Sequence, residues 1–488
     1  MKFSTSLVVA VTAALCVTSG ARGEQRYGGD LENLLERQDK DGSNSSSSSG
    51  SQASSTSSSS GSDAQQTPGF VYNGTVGTYP CALPQDSSAF SDSGSTVTPQ
   101  HIYSPFQVPG ADCADALPPV YPYNAIRIRS PDDSMRMTFL PYGASVSEVW
   151  VKDRNNAWQD VVLGFDNKTN YGTDKAHNFF GPVVGRYANR IKNGTFQLDG
   201  KTYHTPLNEN DVDTLHGGSE GYDRASWYIS ALNQSSVTFT HHDPSGNQGF
   251  PATVDTTATY TLLRDATWQI RIKSKVSNGK TPLMLSSHVY WNLNPHSFLE
   301  NTSRPILDHV LHMPYATNYV KTDPILIPTG PLPKVDGTGY DFRTAKPLSE
   351  NFNQTQGYCG GGCKGWDSCW IEPKGHPRHS PSFEVYSPQS GIKLSISSNQ
   401  EAWQIYTTAG LVSPDTKPSV PRKRVHGGDG TLDNIYENYS AMVIEAEDYI
   451  DAINNPEWGR NQIYDENRDY DWEAEYKFST VDKNGKAT

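Results

Sequence analysis

The sequence predicts an all-β protein built from large antiparallel sheets packed face to face, and three observations carry that prediction. Tyr, Trp, Thr, Ser and Gly are abundant, with 26 Tyr and 10 Trp among 488 residues, while long apolar stripes at helical spacing are scarce. Residues 268–276 (WQIRIKSKV) alternate apolar and polar side chains, the period of a strand with one buried face. Residues 196–198 and 201–203 flank Asp199-Gly200, the two-residue turn that right-handed strand twist favours, so a hairpin is expected there. The main domain, residues 123–488, exceeds the usual size of one core, so pattern alone leaves two subdomains open.

The chain opens with Lys2 and an apolar run at residues 7–17 (LVVAVTAALCV), too short to span a bilayer comfortably. Small residues follow at Ser19, Gly20, Ala21 and Gly23, so residues 1–23 read as an export signal. A secreted, extracellular protein is expected, with no membrane attachment after cleavage. Residues 24–66 hold a serine tract that cannot bury enough apolar surface to offset its chain entropy, and read as a disordered linker. Residues 67–122 are rich in aromatics and proline and carry Cys81 and Cys113, an N-terminal extension to the main domain.

Two further features fit an oxidising compartment. N-x-S/T sequons occur at Asn44, Asn73, Asn167, Asn193, Asn233, Asn301, Asn353 and Asn438, so N-linked glycans are expected. Five cysteines remain without the signal, and local pairing gives Cys81–Cys113 and Cys359–Cys363, with Cys369 free and buried. Zinc binding by Cys359 and Cys363 is a poor reading, because the spacing is C-x3-C and no second Cys/His pair follows.

The formal net charge of −13 repels phosphate backbones, and no basic stretch with interleaved aromatics occurs, so nucleic acid is excluded as a partner. Glycine-rich segments at 360–362 and 427–430 lack phosphate-loop and dinucleotide spacings, and there is no G-x-S-x-G elbow. No cofactor or metal motif is present. His241 and His242 are adjacent on a strand and point to opposite faces, which opposes shared ligation. His376 and His379 fall in a proline-rich loop without a carboxylate to complete a site.

Four segments put polar groups where strand periodicity defines a face. Residues 283–293 (LMLSSHVYWNL) set Leu283, Leu285, Val289, Trp291 and Leu293 on one face, and His288, Tyr290 and Asn292 on the other. A single strand histidine is more often structural than catalytic, but this company points to a polar pocket. Residues 442–448 (MVIEAED) place Glu445 and Glu447 inside an apolar run, where burial without a partner would favour the neutral acid. Residues 181–190 (GPVVGRYANR) bring Arg186, Asn189 and Arg190 together. In Leu215-His216-Gly217-Gly218 the paired glycines would let backbone approach a ligand closely. Unaided, each segment also reads as a surface cluster, an edge strand or a turn.

Residues 178–203 (NFFGPVVGRYANRIKNGTFQLDGKTY) and 215–223 (LHGGSEGYD) resemble the signature of the aldose 1-epimerases, the galactose mutarotases. The resemblance continues in order through 249–251, 260–262, 287–293, 327–330, 337–343, 365–367, 403–407, 444–447, 451–452 and 476–479. It implies one large antiparallel β-sandwich, a galactose mutarotase-like supersandwich, with an open groove for a monosaccharide and no cofactor. Carried over by position, Glu445 matches the general base and His288 the general acid. Asn189, Arg190, His216, Asp367 and Gln404 match positions that hold the sugar, and Tyr290 lines the pocket. The implied chemistry is removal of the O1 proton by Glu445 and protonation of the ring oxygen by His288, with Asp367 nearby to favour the imidazolium. The chain departs from the family pattern at Ser287, where Asn is common, at Ser368, where His is frequent, and at Glu447, where Gln is usual. Insertions at 351–364 and 412–436 are placed to wall the groove. A secreted sugar-binding protein without turnover is the alternative, which retention of both His288 and Glu445 opposes. A glycoside hydrolase built on Glu445 and Asp367 is another, opposed by the acid–base role of a histidine. The segments 215–218 and 188–190 resemble the free-sugar branch rather than hexose-6-phosphate epimerases.

Overall fold

The structure is a computed structural model describing the backbone of residues 102–103 and, with side chains, residues 122–300, 305–373, 375, 380–413 and 418–488. The export signal, the serine-rich linker, Cys81, Cys113, His376 and His379 lie outside the described residues. Strands dominate, and the α-helices among the described residues are single turns at Asn170–Thr173 and Leu348–Asn351. No helix among them is long and apolar enough to cross a membrane.

The largest sheet has nine strands. Its centre is formed by Thr253–Leu263, Thr267–Ser277, Tyr470–Thr480 and Ile392–Ser398, each antiparallel to the next. Thr267–Ser277 contains the alternating segment read from the sequence: Trp268, Ile270, Ile272 and Val276 are buried, while Gln269, Arg271, Lys273 and Lys275 are exposed. The Asp199-Gly200 hairpin forms between Thr195–Leu198 and Lys201–His204, and both turn residues take positive φ, 50° and 78°. That conformation is the one whose twist matches the flanking strands.

A five-stranded sheet packs against the nine-stranded one. It runs Tyr290–Trp291, Met442–Glu447, Ala402–Tyr406, Asp367–Ile371, Asn318–Tyr319. Aromatic side chains fill the space between the layers: Trp291 lies 6.2 Å from Trp268 and 5.8 Å from Tyr476, and Trp403 lies 5.5 Å from Phe383. The Trp472 indole N–H donates to the Ala446 carbonyl at 2.7 Å, so one sheet's buried donor is satisfied by the other's backbone. A second five-stranded sheet, containing Arg136–Leu140 and Ser145–Lys152, joins the same hydrophobic core through Phe139 and Val149. One large hydrophobic cluster thus draws side chains from all three sheets, with smaller apolar clusters beside it.

Residues 283–293, read as one strand from their alternation, are instead two short pieces. Ser286–Ser287 pairs with Val183–Val184, and Tyr290–Trp291 pairs with Met442 and Val443. Both sides of the segment are buried, so alternation here separates a packed core from an equally enclosed site rather than core from solvent.

Candidate active site

Register builds the floor of the site. Tyr290 stands opposite Val443, Val443 opposite Tyr406, and Tyr406 opposite Asp367; Glu445 stands opposite Gln404, and Gln404 opposite Cys369. Directly opposed residues share a face. One face therefore carries Tyr290, Glu445, Glu447, Gln404, Tyr406 and Asp367, while Trp291, Ile444, Trp403, Ile405 and Trp370 point into the core. Over this floor lies a cavity of about 810 Å³. Tyr290, Asp367, Gln404 and Glu445 line it, with His288, His216, Asn189 and Arg190.

His288 sits between the two short strands, with Nδ1 donating to the Phe179 carbonyl at 3.1 Å. That bond turns Nε2 toward Glu445, whose Oε1 is 3.7 Å away; the other Glu445 oxygen is buried without a hydrogen-bond partner. His216 is fixed in the opposite sense, its Nδ1 accepting the Asn189 backbone N–H at 3.1 Å. Burial, reinforced by His288 and Arg190, holds His216 well below the usual imidazole range, so the ring is neutral with its proton on Nε2. Two histidines with ring centroids 5.0 Å apart thus have distinct, locally determined tautomers.

Asn189 adopts φ 59°, a left-handed conformation that Asn tolerates better than most residues. Its Oδ1 accepts from the Arg190 backbone N–H at 3.0 Å, and its Nδ2 donates to Glu447 Oε1 at 3.0 Å. Arg190 reaches Glu209 at 2.7 Å and Asp367 at 3.5 Å. Burial would lower its pKa, but these carboxylates outweigh it and raise it. Gln404 donates from Nε2 to Asp367 at 2.5 Å, leaving its own buried carbonyl oxygen unpartnered.

The carboxyls are shifted upward. Burial pushes Glu445 well above the usual range; Glu447 and Asp367 add to the shift and Arg190 opposes it. Burial likewise pushes Glu447 up to about 8 against the Asn189 hydrogen bond, and raises Asp367 against its pairing with Arg190. An ionisation poised toward neutrality suits a group that must take up and release a proton.

Several expectations are corrected by the geometry. The carboxylate facing His288 is Glu445, while both Asp367 oxygens are engaged by Arg190 and Gln404. Asn292 takes no part in the cavity, donating instead to the Ser440 carbonyl at 2.8 Å. Arg186 is a buried structural cation paired with Asp243 at 2.6 Å. The glycine after His216 serves backbone packing rather than ligand approach: a Cβ on Gly217 (φ 88°) would meet the Gly185 carbonyl oxygen at 2.1 Å.

Other lining residues escaped the sequence. Phe179 orients His288, Glu209 holds Arg190, and Tyr406 and Tyr439 add aromatic wall. Phe179 lies in the family signature but acts through its carbonyl, which no side-chain pattern reveals. The insertion at 351–364 supplies wall from Cys359 to Lys364, including the Cys359–Cys363 disulfide (Cα–Cα 5.3 Å); Val412 and Ser413 come from the other insertion. Cys369 is free and buried.

A ring nitrogen from each of His216 and His288 and an oxygen of Glu445 lie within 4.8 Å of one another. The donor chemistry does not fit a metal. A metal on His216 Nε2 would move the ring proton to Nδ1, head to head with the Asn189 N–H, whereas ligating imidazoles donate from their second nitrogen. The arrangement fits hydrogen bonds to a polyol.

Comparisons with known proteins follow the same lines. The family described as Aldose 1-epimerase matches residues 124–477. A protein of Arthroderma benhamiae named "Probable aldose 1-epimerase" is 40% identical over 362 residues, covering 68% of this chain and 81% of its own. The galactose mutarotase of Homo sapiens is 30% identical over 353 residues, covering 72% and 92%. Among solved structures, a GalM/aldose epimerase homologue from C. elegans superposes with TM-score 0.63 at 28% identity, over 74% of this chain and 99% of that one.

Proposed function

The chain belongs to the aldose 1-epimerase family of carbohydrate isomerases, and on that premise we propose that it interconverts the α and β anomers of free aldohexoses such as glucose and galactose, with Glu445 as general base and His288 as general acid. One observation carries the mechanism: His288 Nε2 and Glu445 Oε1 converge to 3.7 Å on the buried floor of the cavity. A cyclic hemiacetal bears its ring oxygen and its anomeric hydroxyl on the same carbon, so the acid and base that open it must converge on one point. Glu445 takes the O1 proton while His288, protonated at Nε2, delivers one to the ring oxygen, and the C1–O5 bond breaks to give the open aldehyde. Rotation about C1–C2 exposes the other carbonyl face, and the reverse transfers close the ring. His216 Nε2–H and the Arg190 guanidinium donate hydrogen bonds to sugar hydroxyls, while Asp367 and the free carbonyl of Gln404 accept them.

This geometry is unlike that of a glycoside hydrolase, whose two carboxyls straddle the scissile bond, because Asp367 is tied to Arg190 and Gln404. Optical rotation of freshly dissolved α-glucose and α-galactose tests the reading. Acceleration above the spontaneous rate supports it; sugar binding without acceleration would replace it with a non-catalytic sugar-binding protein.

We further propose that residues 1–23 direct export and that the protein is secreted and N-glycosylated, with residues 24–66 a linker and 67–122 an extension pinned by Cys81–Cys113. Asn167, Asn193, Asn233 and Asn353 are exposed, which supports modification there. Mass spectrometry of protein from culture medium, before and after glycan removal, tests both: an intact leader or unmodified sequons would overturn them.

A further inference from the structure

We infer that Glu447 is a positioning residue that acts as an uncharged acid, setting His216 and Arg190 through its hydrogen bond to Asn189. The inference rests on the sugar site proposed above and extends it to a residue with no direct role there.

Glu447 is fully buried at the end of Met442–Glu447, on the same face as Glu445. Unlike Glu445, it does not line the cavity. Its Oε1 accepts from Asn189 Nδ2 at 3.0 Å, and its Oε2 is buried without a hydrogen-bond partner. That contact fixes which way the Asn189 amide faces. With Nδ2 on Glu447, Oδ1 turns to Arg190, where it accepts from the backbone N–H at 3.0 Å and the guanidinium at 3.4 Å. The backbone N–H of the same residue holds His216 Nδ1. Asn189 therefore links Glu447 to two cavity-lining donors on different segments of chain, Arg190 through its side-chain amide and His216 through its backbone N–H.

The charge state follows from what surrounds the two acids. Glu445 faces His288 Nε2 at 3.7 Å. Around Glu447 are acids and neutral groups: Glu445 on its own strand, Asp448 beside it, Asp367 and Cys369 on the Asp367–Ile371 strand beyond Ala402–Tyr406, Tyr187, and Tyr470. Arg190 is the one cation with an influence on both acids, and Glu209 and Asp367 already bind it. When one proton is shared between Glu445 and Glu447, the negative charge falls on Glu445, beside the imidazole, and the proton stays on Glu447. Burial raises both carboxyls, so the imidazole beside Glu445 is what separates them. A glutamine would make the same acceptor contact to Asn189 with no charge at any pH.

The experiment compares E447Q and E447A with the wild-type protein, reading galactose affinity by titration calorimetry, KM and kcat by polarimetry, and the pH profile of kcat/KM, with thermal melts to confirm folding. Loss of a buried acceptor for Asn189 is expected to weaken galactose binding about tenfold in E447A and raise KM more than it lowers kcat. E447Q restores affinity, and its acid limb stays within about 0.5 pH unit of wild type, because the charge on Glu445 forms while residue 447 is neutral in both proteins. Wild-type affinity in folded E447A would overturn the positioning role. A fall of the acid limb by one unit or more in E447Q would overturn the neutral state. If E447A does not fold, the second result and the affinity of E447Q still decide. Because affinity is read apart from turnover, absence of mutarotation by the wild-type protein would reject the proposed function, and the positioning role would still be decided by galactose affinity, with the pH dependence of that affinity in E447Q and wild type reading the charge state.

Discussion

Replacing Glu445 with glutamine separates chemistry from packing at this site. The residue is 2% exposed, and an amide fills the same volume. The change removes a proton acceptor 3.7 Å from His288 and leaves the floor otherwise intact. A positioned general base contributes about 100- to 10,000-fold, equivalent to about 2.7 to 5.4 kcal/mol of barrier at 1.36 kcal/mol per decade. We expect kcat for α-galactose to fall within that range. Stability moves the other way. Glu445 carries one oxygen with no hydrogen-bond partner and is pushed well upward chiefly by burial, so its ionised form opposes folding. The melting temperature of E445Q at pH 8 is therefore expected to equal or exceed that of wild type. The assay is polarimetry on fresh α-galactose, corrected for spontaneous mutarotation, beside a calorimetric melt. Retention of more than about a tenth of wild-type kcat would refute the assignment of the base, and a lower melting temperature would refute the account of its burial.

Other consequences are checked independently. In wild type, kcat/KM should rise with pH through a limb well above the ordinary glutamate range, since the ionised base is active and burial raises its pKa; a limb near pH 4.5 would contradict this. Arg186→Met leaves Asp243 charged and buried, so urea denaturation should show a loss of about 3–5 kcal/mol. Glu372 is held up to about 8 by burial, against hydrogen bonds from Trp403 and Ser382, so the fold binds its proton more tightly than the unfolded chain does. Stability from this group is complete below about pH 4.5 and lost as pH rises toward 8, and Glu372→Gln should flatten that slope in denaturant titrations at pH 5 and 8. Opening Cys359–Cys363, which closes a loop with sequence separation 4, should cost about 2 kcal/mol by chain entropy. It should also raise KM more than it lowers kcat, because the loop lines the cavity wall; unchanged KM in the Cys359→Ser/Cys363→Ser variant would rule out that role.

How far the site could be read from sequence depends on which interactions carry it. Alternation is a local property: Gln404 lies on the face opposite Trp403 and Ile405, and Glu445 on the face opposite Ile444, within a few consecutive residues of one strand. It could not say that Gln404 and Glu445 stand side by side, because that is register between strands about 40 positions apart, and register is set by core packing on the other face. Family resemblance brought both positions into one proposed site, and it did so through side chains. It did not reach groups that act through backbone: the Phe179 carbonyl that selects the His288 tautomer, and the Asn189 N–H that selects the His216 tautomer. Any residue could in principle offer either group, so only the left-handed turn at Asn189 and the fold around Phe179 place them. The same reasoning explains why residues 283–293 misled as a single strand. Their alternation is real, but with both faces buried it records two enclosed environments rather than core and solvent. Polar residues on the second face then divide by partner. His288 faces Glu445 at the cavity floor, whereas Asn292 finds the Ser440 carbonyl and is consumed by structure. A buried polar side chain in such a segment is therefore a candidate for function only while part of its hydrogen-bonding capacity is left open toward the cavity.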